Sequence, residues 1–438
     1  MNLSSLPSRP FQIIVFGVFI LLAIVGLALF ASYSGSNGGG AKIGTVTIWG
    51  ILPTDAVQGQ LDALKTTNKE YGAVNYVQKP ADSFDATLAN AIASGAGPDM
   101  VLISQEQLLA EQSKLVVIPF SAIPQRTYLD TFVPIDELYL TDKGTYGVPF
   151  AVDPLVLYYN RSLLSSAGVA APPATWEAVT GLAPRLTQKT NGQLIKSGIA
   201  LGDYANIPSA RAIVSLLLFQ SGSPIASLSS NGTIQAALTG NPSGDSFGVT
   251  PAESAMGFYT QFADPAKTVY SWNRALINAR QAFISGDLAL YIGYASEAPF
   301  LSAANPNLDF DMAKIPQPAT SQTRMTYGEA YAFAIPKATR NYNGALATAR
   351  ILANKDIATA SAHALGMAPA QRALLIPSAD DRYQAIYYPE ALVAKGWLSP
   401  LPATTDSIFA AMIGNITSGS KSVRDALDTA DQSLNAAL

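Results

Sequence analysis

Gly147-Val-Pro-Phe-Ala-Val-Asp-Pro-Leu-Val-Leu-Tyr-Tyr-Asn-Arg-Ser-Leu-Leu164, continued by Ala167-Gly-Val and Pro172-Pro-Ala-Thr-Trp-Glu177, is the most informative stretch of this chain. Val152 to Tyr159 is an apolar run broken only by Asp153-Pro154, and it predicts a buried strand feeding a short helix. Gly168 and Pro172-Pro173 stop that helix, and Thr175 is placed to cap the next one, which carries Trp176 and Glu177. Proline withholds a ladder donor, so a strand with an acid and a proline at its centre does not suit mid-sheet. A strand that leaves one domain and enters another accommodates both.

Composition sets the frame around it. At 438 residues the chain exceeds what one core usually supports, so two lobes are expected. Apolar residues make up 49% and charged residues 13%, with 27 Lys and Arg against 31 Asp and Glu for a net charge of −4. No basic run interleaves with aromatics, which argues against a nucleic-acid partner. The absence of cysteine excludes disulfides, thiolate metal sites and a cysteine nucleophile. His363 is the sole histidine and lies in an Ala-rich helical stretch. It argues against a Ser-His-Asp triad and a multi-histidine zinc site, and reads as a structural helix residue. No metal or cofactor is expected.

Phe11 to Ala31 has no charged residue, and about 21 residues at roughly 1.5 Å each span roughly 31 Å, a bilayer core. It is too long for the usual secretory signal, although Ser32 and Ser34 offer a cleavage alternative before Gly35. Arg9 before the span and Lys42 as the first positive charge after it favour a cytoplasmic N-terminus. Residues 1–33 are therefore read as a cytoplasmic tip and transmembrane anchor. Residues 34–44, with Ser-Gly-Ser-Asn-Gly-Gly-Gly at their start, are read as a flexible linker. This is a single-pass cell-membrane placement, with the folded body outside.

The body opens as strand, helix, strand, helix, strand: Thr45–Gly50, a helix through Leu61 and Leu64, Val74–Val77, Ser83–Ala93, and Met100–Ile103. Phe84, Leu88 and Ile92 share one helical face. The alternation predicts a doubly wound α/β sheet, in which ligands meet loops at the carboxyl ends of strands. Those ends are Trp49 to Asp55 and Ser104-Gln105-Glu106.

Several motifs in order now resemble one family. They are the Val152–Leu164 crossing, Ala96-Gly97-Pro98-Asp99, Ala282-Phe283-Ile284-Ser285-Gly286-Asp287-Leu288-Ala289-Leu290, Thr326–Pro336, Ala368-Pro369-Ala370-Gln371-Arg372, and the final amphipathic run through Val423, Ala426, Leu427, Ala430 and Leu434. Together they are similar to the extracellular solute-binding proteins of the maltose-binding type, the substrate-binding components of ABC importers. The resemblance implies a two-lobed periplasmic-binding-protein fold with a three-crossing hinge near Ala151–Pro154, near Arg324–Glu329 and after Arg372. Lobe one would comprise residues 45–152 and 327–373, and lobe two residues 153–326 and 374–438.

The resemblance also nominates ligand-binding positions. Asp153 falls where the family carries a cleft acid, and would otherwise be a turn-stabilising aspartate before Pro154. Trp49 and the loop to Asp55 match the first ligand loop, although Trp49 equally suits a core aromatic at a strand end. Gln105 and Glu106 match a loop that carries an acid and a base in the maltose binder, and here the base is missing. Asp203 and Tyr204 match a cleft acid and aromatic. Tyr294, Ser296 and Glu297 lie where the maltose binder stacks a tryptophan on sugar, and Tyr294 could substitute. Tyr327 and Glu329 lie at the return crossing. No residue is nominated as catalytic. Tyr158 and Tyr159 face opposite sides of a strand and do not suit a shared ion. The implied partners are ABC permease subunits and a small solute. Aromatics with acids favour a saccharide, while a cationic or amide-bearing solute could also use Asp153, Asp203 and Glu297. An exported carboxylate glycosidase and a ligand sensor without transport are the alternatives.

Overall fold

The computed structural model describes residues 43–229, 233–240 and 248–438. The proposed membrane segment Phe11–Ala31 and nearly all of the linker lie outside the described residues. Among the described residues no helix is long and apolar enough to cross a membrane.

Eleven strands form one sheet: β1 (Val46–Gly50), β2 (Val74–Gln78), β3 (Met100–Ser104), β4 (Gly147–Asn160), β5 (Gln188–Thr190), β6 (Gln193–Ile199), β7 (Leu288–Tyr294), β8 (Phe310–Ala313), β9 (Thr326–Ala334), β10 (Ala368–Pro369) and β11 (Ala394–Lys395). The main path runs β2-β1-β3-β9-β4-β7-β6-β5, with β8 and β10 also on β4 and β11 on β9. β1 pairs in parallel with β2 and β3, as the strand–helix alternation predicts.

β4 explains the sequence from which the reading began. It is longer than the apolar run, 14 residues from Gly147, because β9 pairs along Gly147–Pro154, with one bulge that leaves Phe150 without a register partner. Its second half pairs instead with β7 and β8. The change of partner falls at Asp153-Pro154, where β9 ends its pairing at Gly328 opposite Pro154. The proline therefore costs little in the ladder, since it sits where one set of partners gives way to the next. Val152 is flanked by Ala330 of β9 and Ala368 of β10, so three passages of the chain lie side by side there.

Phe150 and Ala151 join a cluster with Ile48, Leu61, Leu102, Phe333 and Leu352, whereas Val152 and Leu155 to Tyr158 join a larger one that runs from Phe84, Val101 and Ile103 to Ile199, Leu216, Phe283 and Leu290. Tyr158 is buried and its hydroxyl donates to the carbonyls of Tyr294 and Ala295, while Tyr159 is half-buried, in keeping with opposite faces. The strand around Gly198 begins earlier than its apolar residues suggest, at Gln193, because the exposed β5 pairs with its polar first half. The final helix Val423–Ala437 buries Ala426, Leu427, Ala430 and Leu434, the predicted stripe.

Candidate functional site

Helix α1 (Gln105–Glu111) begins directly after β3, and Gln107 accepts the Ser104 N–H at 3.3 Å to start it. Its first residue ties it to β9: Gln105 accepts the Ala330 N–H at 2.7 Å and donates to the Gly328 carbonyl at 3.3 Å. Gln105 is thereby a fastening between α1 and β9. Glu106, only 2% exposed, is held in place beside it. Its carboxylate meets Arg211 at 2.5 Å and accepts the Tyr327 hydroxyl. Arg211 lies in helix α2 (Ala210–Ser221) and also reaches Asp406, in helix α3 (Pro402–Thr417), at 2.7 Å. Tyr204 donates to the other Asp406 oxygen at 2.6 Å. Burial pushes the Glu106 carboxyl up to about 7, against the opposing pull of Arg211. For Arg211 burial acts to lower the pKa, but Glu106, Tyr327 and Asp406 outweigh it and the guanidinium is held charged.

A second group adjoins it. Register places Glu329 of β9 opposite Asp153 of β4, on one face of the sheet. Glu329 accepts the hydroxyls of Tyr294 and Tyr331, each at 2.7 Å. Asp153 is 4% exposed and accepts the Ser296 N–H at 3.1 Å, at the start of helix Glu297–Ala304. Burial drives its carboxyl well above the usual range, and Glu329 and Glu297 push the same way. Glu297 accepts from Arg280 at 2.5 Å, Tyr291 at 2.8 Å and the Tyr294 N–H at 3.1 Å. Gly293 leaves room for it, since a Cβ there would lie 2.6 Å from Glu297 Oε1.

Glu106, Tyr204 and Tyr327 thus belong to one bonded group and Tyr294 and Glu329 to a second, near enough to feel each other's charge, with Asp153 beside Glu329. The remaining nominated positions behave differently. Asp203 is buried and turns its own loop, accepting the N–H groups of Tyr204 and Ala205 at 2.7 and 3.2 Å, with Arg274 at 3.5 Å. Ser296 is engaged with Asp153 through its backbone N–H and its side chain. Glu297 is engaged by Arg280 and Tyr291. Trp49 is half-buried with the Lys79 ammonium 3.9 Å from its ring centre, and Asp55 is exposed in the first turn of helix Thr54–Thr67. No hydrogen bond or ion pair joins those two to the neighbourhood among the described residues.

Arg211, Asp406 and Tyr331 were not nominated from the sequence. Arg211 and Asp406 each carried a signal, because each is the sole charged residue of an otherwise apolar or small-residue helix. Such a charge needs a partner or a ligand. Arg211 Nε is buried without a hydrogen-bond partner among the described residues. The neighbourhood offers carboxylate acceptors, guanidinium and phenol donors, and aromatic faces, which is a set for reading hydroxyl-bearing molecules. Among the described residues no group of three or more acidic, His or Cys side chains is arranged for a metal ion.

An α/β sheet shared between two halves, with a polar neighbourhood where strands pass from one to the other, defines a two-lobed binding protein. Residues 60–385 match the family model described as bacterial extracellular solute-binding protein, and the chain belongs to that family. The maltotriose-binding protein of Thermus thermophilus, solved with maltotriose, superposes with a TM-score of 0.68 at 16% identity, covering 90% of this chain and 100% of that one. The cyclic α-maltosyl-1,6-maltose-binding protein of Arthrobacter globiformis gives 0.72 at 19% identity, with 90% and 98% covered. Both share the fold. The galactooligosaccharide-binding protein of Bacillus subtilis (strain 168) is 27% identical over 154 residues, which is 34% of this chain and 35% of that protein. A binding protein of Brucella abortus (strain 2308) is 23% identical over 167 residues, 37% and 39% of the two chains. The chain therefore spans under two fifths of the length of these curated relatives.

Proposed function

We propose that this protein captures a saccharide between two lobes, residues 45–152 with 327–373 and residues 153–326 with 374–438, and delivers it to the permease subunits of an ABC importer. It acts by binding and not by catalysis. The observation that carries the reading is the polar neighbourhood at the strand passages, where Glu106, Glu329, Arg211, Tyr204 and Tyr294 gather donors, acceptors and rings in one place. Acids and an arginine suit the hydroxyls of a polyol, and tyrosine rings suit the apolar faces of a sugar. Relatives named for galactooligosaccharide, maltotriose and cyclic maltosyl-maltose support the same ligand class. Asp153 would lend the ligand a further acceptor, with Trp49 and Asp55 approaching from the first loop.

The three passages around Val152 would act as the hinge, and Phe11–Ala31 would tether the body to the outer face of the membrane. A thermal-shift screen of residues 41–438 against oligosaccharides, polyamines and amino acids tests the reading, because a ligand selective for the folded state raises its apparent stability. Stabilisation by an oligosaccharide recovered unchanged after long incubation supports it. Stabilisation by polyamines alone, or conversion of the sugar, refutes it.

A further inference from the structure

Glu106 and Arg211 stand on different lobes of the division proposed above, and the following inference rests on that division but not on the identity of the ligand. Glu106 begins α1 behind β3, and its neighbour Gln105 is fastened to β9. Arg211 begins α2, and its other guanidinium arm is fixed to Asp406 of α3, which also holds Tyr204. Each side of the ion pair is therefore anchored within its own half, and the 2.5 Å contact between them is the link that crosses. Tyr327 reinforces the Glu106 side from the return strand. The Tyr294–Glu329 bond also joins the two halves, but Glu329 sits opposite Asp153 on the passage itself, where rotation moves atoms least.

We propose that Glu106 and Arg211 form a clasp across the cleft that biases the ligand-free protein toward its closed arrangement. The contact is charge-assisted, short and shielded from water, so ions in solution screen it weakly. Opening would return both charges to water, which offsets much of what is lost on separation. The clasp consequently shifts a balance between open and closed forms and does not lock one of them.

The chain has no cysteine, so two introduced ones label cleanly. Thr66→Cys and Gln432→Cys place spin labels on exposed positions of lobes one and two. Pulsed electron-spin distance measurements are then made without ligand on the labelled parent, Glu106→Gln, Arg211→Gln and Arg211→Glu, each confirmed folded by circular dichroism and a cooperative melt. Glu106→Gln keeps the side-chain shape and a partner for Tyr327 while removing the charge. The expected result is a shift of the distance distribution to longer values in both glutamine variants, by several ångström, and a larger shift in Arg211→Glu, which sets carboxylates against each other. If Arg211→Glu opens the protein and the glutamine variants do not, the lobes hinge but the clasp does not hold them, and the proposal is overturned. If none of the three moves the distribution, the pair does not hold the ligand-free protein closed and the proposal is overturned, while an unchanged distance on adding a stabilising ligand to the labelled parent would overturn the hinged-lobe reading itself.

Discussion

Asp153→Ala tests the central residue of the crossing on two measurements at once. Removing the carboxylate strips the Ser296 N–H of its acceptor at 3.1 Å, in a place where Asp153 itself is almost wholly buried. An orphaned N–H at a helix start costs about 1–2 kcal/mol. Burial holds the Asp153 carboxyl well above its usual range, and deleting it removes that cost as well as the hydrogen bond. In a chain of this size that loss lowers the melting temperature by about 1–3 °C. If Asp153 also accepts from ligand, affinity falls by about 1.5–3 kcal/mol, roughly ten- to a hundredfold in Kd. Asp153→Asn retains an acceptor and should keep the melting temperature of the parent. Calorimetric titration and a thermal melt on the same preparations decide the matter. A lowered melting temperature with unaltered Kd removes Asp153 from the site, and an unaltered melting temperature refutes the role assigned to the Ser296 bond.

Three further outcomes are expected. Asp136 is fully buried, neither carboxyl oxygen has a partner among the described residues, and burial raises its pKa well above the usual value despite Arg372. A raised acid binds its proton more tightly in the folded state, so stability is lost as pH rises from about 4 toward the folded pKa. Asp136→Asn should flatten that slope in melts taken from pH 4 to 9, and an unchanged slope refutes it. Deleting residues 1–40 should release a soluble body with the cooperative melt of the full protein, whereas mature membrane protein beginning at Gly35 would show a removed signal instead. Small-angle scattering of the soluble body should show a smaller radius of gyration with saturating ligand, and identical profiles would count against closure.

Strand β4 and its change of partners were legible because an apolar run, an acid and a proline coincide in a few adjacent residues. The helices and parallel strands of the first half were legible from periodicity alone. The gathering of polar side chains near the strand passages was legible in part. Glu106, Tyr204, Tyr294, Tyr327 and Glu329 all lie just beyond or within strands, where position along the chain predicts position in space. Arg211 and Asp406 come from helices far apart in sequence, and only folding brings them to Glu106. That Ser296 meets Asp153 was equally hidden, since their bond joins residues far apart in sequence and uses the Ser296 backbone N–H as well as its side chain.

The flanking of Val152 by Ala330 and Ala368 has a mechanical consequence. Passages stitched edge to edge do not behave as three independent strings. They form a narrow ribbon that twists readily about its length and resists being pulled apart sideways. On the proposed division, relative rotation of the halves would be a torsion shared by all three, its axis set by the ribbon and not by any single flexible residue. A protease cut in one passage would leave two intact and the molecule in one piece. On that division neither half is continuous in sequence, so truncation at one point would yield neither.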